Sequence, residues 1–69
     1  MGRNNTLHDI AVEFKHVTAK AILYSDGTKE FWVAKSIMGD DGFIQVETNN
    51  DGTFTLTAPE WWLQERGLI

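Results

Sequence analysis

The chain has 69 residues, which is the size of one small domain. It contains no cysteine, so disulfides and thiolate zinc sites are excluded; no signal peptide or transmembrane run is apparent either, so we expect a cytoplasmic protein without a membrane partner. Ten Asp and Glu against six Lys and Arg give a net charge of −4, which disfavours generic nucleic-acid binding and suits a partner with a basic surface.

The N-terminal part of the chain is expected to enter the fold as a strand. Residues 1–6 are polar, and we expect a flexible N-terminus ahead of a single domain over residues 7–69. The large apolar residues Ile10, Val12 and Phe14 occur at every second position, the period of a strand, although residues 7–11 also fit the start of a helix. The β-branched Val17 and Thr18 favour the strand.

Three turn segments that combine Asp or Asn with Gly divide the middle of the chain, at residues 26–28, 39–42 and 49–52. The strands expected beside the first and third turns are residues 21–24, 31–34, 43–48 and 53–57. Together with the N-terminal strand they predict a mainly β fold. We expect a five-stranded antiparallel meander, either a small curled sheet or an SH3-like barrel.

The end of the chain predicts a short helix over residues 58–66. Thr57 and Glu60 have the spacing of a capping box, and Pro59 suits a first turn that needs no backbone donor. Arg66 is favourable near the carbonyl end, and Gly67 is a typical stop. A helix of this length is not stable alone, so we expect it to dock on the sheet.

The expected core follows from these periods. Trp61, Trp62 and Leu63 spread over about 200° of the helix, so one of them should be partly exposed; we assign Trp61 to the core and Trp62 to the rim. Both sets of alternate residues in the strand 31–34 are apolar, so which set points inward is left open. The expected core comprises Ile10, Val12, Phe14, Ala21, Leu23, Val33, Ile44, Val46, Phe54, Leu56 and Trp61.

Several short elements occur in a fixed order along residues 13–68. They are Thr18-Ala19-Lys20-Ala21-Ile22-Leu23, Asp26-Gly27, Trp32-Val33-Ala34-Lys35-Ser36, Pro59-Glu60-Trp61-Trp62-Leu63 and Gly67-Leu68. This order resembles a group of small bacterial and phage proteins with Lys-Ala-Ile-Leu, Trp-x-Pro-Lys-Ser and Pro-Glu-Trp-Leu elements. Ala34 departs from the usual Pro, and Trp62 from an aliphatic residue. The resemblance implies a small β-barrel-like fold and a phage or prophage accessory protein in a bacterial cell.

Catalysis is not expected from the residues present. Without Cys, the nucleophile would be Ser25 or Ser36, served by His8 or His16, and nothing in the sequence requires them to converge. On one extended strand the two histidines would lie about 26 Å apart, too far to share a metal ion. The oxygen-rich turns lack the spacing of a calcium loop. We therefore predict a non-enzymatic protein without a metal or cofactor.

The chain is instead predicted to act by binding, and three kinds of partner are considered. The first is a host or phage protein with a basic surface, which belongs to a nucleic-acid-handling or defence complex. The chain would inhibit this protein by binding it through an acidic face and an exposed Trp62. The second is single-stranded nucleic acid, gripped by Trp32 and Lys35, with Lys20, Lys29 and Tyr24 nearby. The third is another copy of the chain, through Trp62 or a sheet edge, and the oligomeric state is left open. The acidic face is expected to comprise Glu30, Asp40, Asp41, Glu47 and Asp51.

Overall fold

The computed structural model describes residues 6–69, which form five strands and one short α-helix. This confirms the mainly β class with a C-terminal helix, and residues 7–14 are strand and not helix. The expected flexible segment lies outside the described residues except for Thr6, whose carbonyl accepts a hydrogen bond from the Glu60 amide at 2.8 Å. The elements are β1 (Leu7–Val17), β2 (Ala21–Ser25), β3 (Glu30–Ala34), β4 (Gln45–Thr48), β5 (Phe54–Pro59) and α1 (Glu60–Glu65).

The strands form one open antiparallel sheet in the order β3-β2-β1-β5-β4. The expected simple meander is therefore wrong, because β3 and β4 are the two edges of the sheet and β1 lies at its centre. Residues 7–12 of β1 pair with β5, whereas residues 13–17 pair with β2. One long strand thus belongs to both halves of the sheet.

A β-bulge in β1 bends the sheet between its two halves. Phe14 lies opposite Tyr24 and His16 opposite Leu23, so Lys15 is the extra residue on β1. Bulges bend the strand that carries them and increase its twist. The sheet curls accordingly, and the Tyr24 ring of one half meets the Phe54 ring of the other with centroids 6.1 Å apart. The curl encloses the core between the two halves.

The inner face of this curled sheet and one side of α1 make up the core. Phe31 and Val33 point inward from β3, which settles the alternative that the sequence left open. Trp62 and Leu63 close the core from the helix, and the Phe31 and Trp62 rings meet edge to face at 6.1 Å. The buried hydrophobic residues are Val12, Tyr24, Phe31, Val33, Ile44, Leu56, Ala58, Trp62 and Leu63.

Four core assignments from the sequence are wrong, because Ala21, opposite Ala34 on the outer face, fails together with the three described next. Phe14 shares the inner face but is 48 % exposed, beyond the part of that face that the rest of the fold covers. Leu23 lies on the outer face, because its neighbour Tyr24 points inward. Trp62 is buried and Trp61 only partly so, the reverse of the expectation. Val12, Val33, Ile44 and Leu56 are confirmed as core; Ile10, Val46 and Phe54 are partly buried against it, and Ala21 is half-buried without joining it.

The ends of α1 show one wrong prediction and one confirmed prediction. The capping box does not form, because Thr57 is still in β5 and its hydroxyl donates to the Asp9 carboxylate at 2.6 Å. Gly67 does end the helix, with a φ of +70°. Its amide donates to the Gln64 carbonyl, and the next amide donates to the Leu63 carbonyl, the paired bonds of a Schellman motif.

Candidate interaction surface

A row of three side chains crosses the outer face of β1, β2 and β3. Since Phe31 and Val33 are buried, Trp32 faces outward and is 48 % exposed. Trp32 lies opposite Leu23, which lies opposite His16, so the row runs across neighbouring strands. The His16 and Trp32 rings meet at 85° with centroids 6.3 Å apart. We call His16, Leu23 and Trp32 the aromatic strip.

Exposed lysines lie near the aromatic strip, two of them at one end of the strands. Lys35 directly follows β3, and its amide donates to the Lys20 carbonyl at 2.8 Å, so these two residues are side by side. Lys15 is the extra residue of the bulge beside His16 on β1, and it is exposed as well. The structure therefore places Lys20 and Lys35 side by side, three residues along their strands from Leu23 and Trp32, and adds Lys15 beside His16. We call the strip with these three lysines the Trp32 surface.

Lys29 does not belong to this surface. It lies in the β2–β3 turn, at the opposite end of the strands, and its Nζ donates to the Gly67 carbonyl at 2.9 Å. In the same turn the Asp26 carboxylate accepts the Lys29 and Thr28 amides at 2.7 and 2.9 Å. These hydrogen bonds hold the pKa of Asp26 below its ordinary value. Glu30 is also near this turn. The turn end of β2 and β3 therefore carries Asp26 and Glu30, whereas the opposite end carries Lys20 and Lys35.

The five acidic residues predicted to act together do not form one surface. Glu30 is on β3 and Glu47 on β4, which are opposite edges of the sheet. The turn that carries Asp40 and Asp41 lies beside β4, where the Gln45 side chain donates to the Gly39 carbonyl at 2.9 Å. Asp51 is in the β4–β5 turn. Four of the five residues thus belong to the β4 side, and Glu30 is separate.

Two carboxylates on the β4 and β5 half accept hydrogen bonds from threonine. The Asp51 carboxylate accepts both the hydroxyl and the amide of Thr53, which lowers the pKa of Asp51. Asp9, which the sequence analysis did not select, accepts the Thr57 hydroxyl across the β1–β5 pair. Strand alternation that places Ile10 and Val12 inward could have identified Asp9 as an outward residue.

Two residues expected at a contact surface are buried instead. Tyr24 is 4 % exposed, and desolvation raises its pKa. Trp62 is 1 % exposed, with the Arg66 guanidinium 3.9 Å from its ring centroid. The Trp62 Nε1 is also buried, without a hydrogen-bond partner among residues 6–69. Neither side chain is accessible to a partner. Arg66 follows Trp62 by four residues, which places the two on the same side of a helix, and this spacing was the sign in the sequence that Trp62 is covered.

Ser25 and His8, two of the groups considered for catalysis, are engaged in structural contacts. The Ser25 Oγ is buried and accepts the Gly27 amide at 3.1 Å. It lines a depression of about 180 Å³, which is below the range of about 300–1,000 Å³ usual for small-molecule sites. His8 contacts the Glu60 carboxylate at 2.9 Å, in the other half of the sheet from His16. Within residues 6–69, no group of three or more His, Asp or Glu could hold a metal ion.

Two further findings concern the chain as a whole. No helix in the described part of the chain is long and apolar enough to cross a membrane. Comparisons of the chain with protein-family models, with curated proteins and with solved structures each found no match. The arrangement of this protein's own side chains is therefore the basis on which a function can be assigned.

Proposed function

We propose that this protein is a non-enzymatic binding module that contacts its partner through the Trp32 surface. The observation that carries the proposal is the exposure of Trp32: nearly half of this side chain meets solvent, while Phe31 and Val33 on either side are buried. Tryptophan is among the residues that contribute most to binding when a partner covers them. Its position within a paired strand also means that little conformational entropy is lost when it is covered.

The accessory role that the sequence resemblance implies is compatible with this surface. Trp32, Lys35 and Ser36 match the Trp-x-Pro-Lys-Ser element, and the first two belong to the Trp32 surface. Ala34 replaces the usual Pro of that element and is exposed, opposite Ala21. We propose a phage- or prophage-type protein that acts in the bacterial cytoplasm by occupying a surface of a larger complex.

A second candidate function is docking on a basic protein surface through the β4 side. Residues 36–64 contain no Lys or Arg, so the carboxylates there have no cationic neighbours along the chain. Complementary charge accelerates and orients association, and such docking would inhibit the partner by steric exclusion. The residues that would carry it are Asp40, Asp41, Glu47 and Asp51. Glu30 is left out of this set because it lies at the other edge of the sheet.

Capture from bacterial lysate by the tagged protein tests the two candidates against each other. Trp32→Ala should lose the captured partner, whereas Phe43→Ala should retain it. Phe43 is a suitable control because it is 38 % exposed and packs on Trp61, not on the aromatic strip. The second candidate predicts the reverse: neutralisation of the β4 side by D40N, D41N, E47Q and D51N abolishes capture, and Trp32→Ala leaves it unchanged.

A further inference from the structure

We propose that the ligand of the Trp32 surface is single-stranded nucleic acid. The inference rests on the proposed function, because it concerns the same surface and names the class of partner. Two features support it: an exposed aromatic side chain on a rigid strand, and exposed lysines near it, with Lys20 and Lys35 side by side at one end of the strands and Lys15 beside His16. Proteins that bind single strands combine these features, since bases stack on aromatic rings while cations follow the phosphates.

The aromatic strip has the dimensions of a small stacking platform. Its three residues lie across three strands spaced about 4.8 Å apart, so the strip is about 10 Å wide. The exposed part of Trp32 provides the main apolar surface, with His16 beside it and Leu23 between them. A platform of this size accommodates one or two bases, and stacking is tolerant of base identity.

The composition of the Trp32 surface favours nucleic acid over a protein ligand. Lys15, Lys20 and Lys35 are three of the four lysines in the chain; Lys20 and Lys35 lie together at one end of the β1–β2–β3 half, and Lys15 lies beside His16 on β1. Lysine is depleted in protein–protein interfaces relative to the rest of the surface. Lysines next to an aromatic platform are, in contrast, what a phosphate backbone requires.

The net negative charge of the protein does not prevent this binding. The Debye length is about 8 Å at physiological ionic strength, and the molecule extends 38 Å along its longest axis. Carboxylates that lie much farther than the Debye length from the lysines therefore have little effect on phosphate binding. Glu30 is different, because it is on the same face of β3 only two residues from Trp32, a separation of about 7 Å. Glu30 should oppose the binding of phosphate.

Fluorescence anisotropy with a labelled oligothymidine of about 12 nucleotides tests the inference directly. Affinity should fall with salt, with a log–log slope of about −1.4 to −2.1 for two or three phosphate contacts. Trp32→Ala should weaken binding about fivefold or more, and Trp32→Phe should restore part of it because a stacking ring remains. Glu30→Gln should strengthen binding.

Lys35→Glu and Lys29→Glu form a matched pair of variants. Both change the net charge by the same amount, but Lys29 lies at the opposite end of the strands. Lys35→Glu should weaken binding and reduce the salt slope by about 0.7, the contribution of one phosphate contact, whereas Lys29→Glu should leave both nearly unchanged. Circular dichroism of each variant confirms that the fold is retained.

Two results would overturn the inference. One is no change in anisotropy at about 25 mM salt, where electrostatic binding is strongest. The other is an equal loss of affinity in the two lysine variants, which would mean that only net charge matters. If oligonucleotides fail to bind while nuclease-treated lysate still yields a partner that depends on Trp32, the ligand is a protein: this inference fails and the proposed function stands.

Discussion

Replacing Trp62 by alanine tests how α1 is attached to the sheet. The side chain is 1 % exposed and is packed between Phe31 and Arg66. Truncation of a large buried aromatic residue to alanine costs about 3–5 kcal/mol. At about 0.05–0.15 kcal/mol per residue, a chain of this length has roughly 3–10 kcal/mol of total stability. Trp62→Ala should therefore remove at least about a third of the stability at 25 °C, and all of it if the total is at the lower end of this range.

The neighbouring tryptophan provides the comparison. Trp61 is only partly buried, with its ring 5.2 Å from that of Phe43, so Trp61→Ala should cost about half as much or less. Urea unfolding followed by circular dichroism measures both variants, provided that the slope with denaturant is unchanged. A larger loss for Trp61→Ala than for Trp62→Ala would refute the orientation of the helix described here.

A third variant, Trp62→Phe, separates packing from the buried donor. The Nε1 of Trp62 has no partner within residues 6–69, and a buried unsatisfied donor costs about 1–3 kcal/mol. Phenylalanine keeps an aromatic ring against Phe31 and removes this donor, so the two effects oppose each other. We expect Trp62→Phe to lie within about 1.5 kcal/mol of the natural protein in the same unfolding experiment.

Three further substitutions test local features of the fold. Gly42→Ala should lower stability by about 1–3 kcal/mol in thermal melts, because a Cβ there would collide with the Ile37 carbonyl; the exposed neighbour Asp41→Ala should change stability by less than about 0.5 kcal/mol. Gly67→Ala should cost about 1 kcal/mol, since φ is +70° at this helix stop, and Gly67→Asn should cost less. The pKa of Asp26 is lower in the folded than in the unfolded state, so its contribution is present above about pH 4 and is lost as acid protonates the folded carboxylate. Asp26→Asn should therefore lower stability at pH 7, and its difference from the natural protein should shrink in acid; a constant difference across that range would contradict this assignment.

The turns, the strands and the end of the helix could be predicted from the sequence, because they depend on the backbone preferences of neighbouring residues. Glycine at positive φ marks the turns at Gly27, Gly39 and Gly52, and strand alternation marks the segments between them. The helix stop at Gly67 was predicted for the same reason. The Trp32 surface was only partly predictable: Trp32 and Lys35 were selected from their neighbouring positions, whereas Lys15 and His16 were not.

Long-range pairing decided the rest. Nothing in the sequence of β5 itself indicates that it pairs with β1 as well as with β4, whereas in a meander it would pair with β4 alone. This pairing places Glu30 and Glu47 at opposite edges of the sheet. The bulge at Lys15 depends on the register between β1 and β2, and this register places His16 opposite Leu23. The burial of Trp62 depends on Phe31 and on the turn of helix that carries Arg66 across it. By itself the sequence determined the turns, the strands and the helix stop, because these follow from backbone preferences of neighbouring residues; which side chains meet, and which remain on the surface, was decided only by contacts between segments distant in the chain.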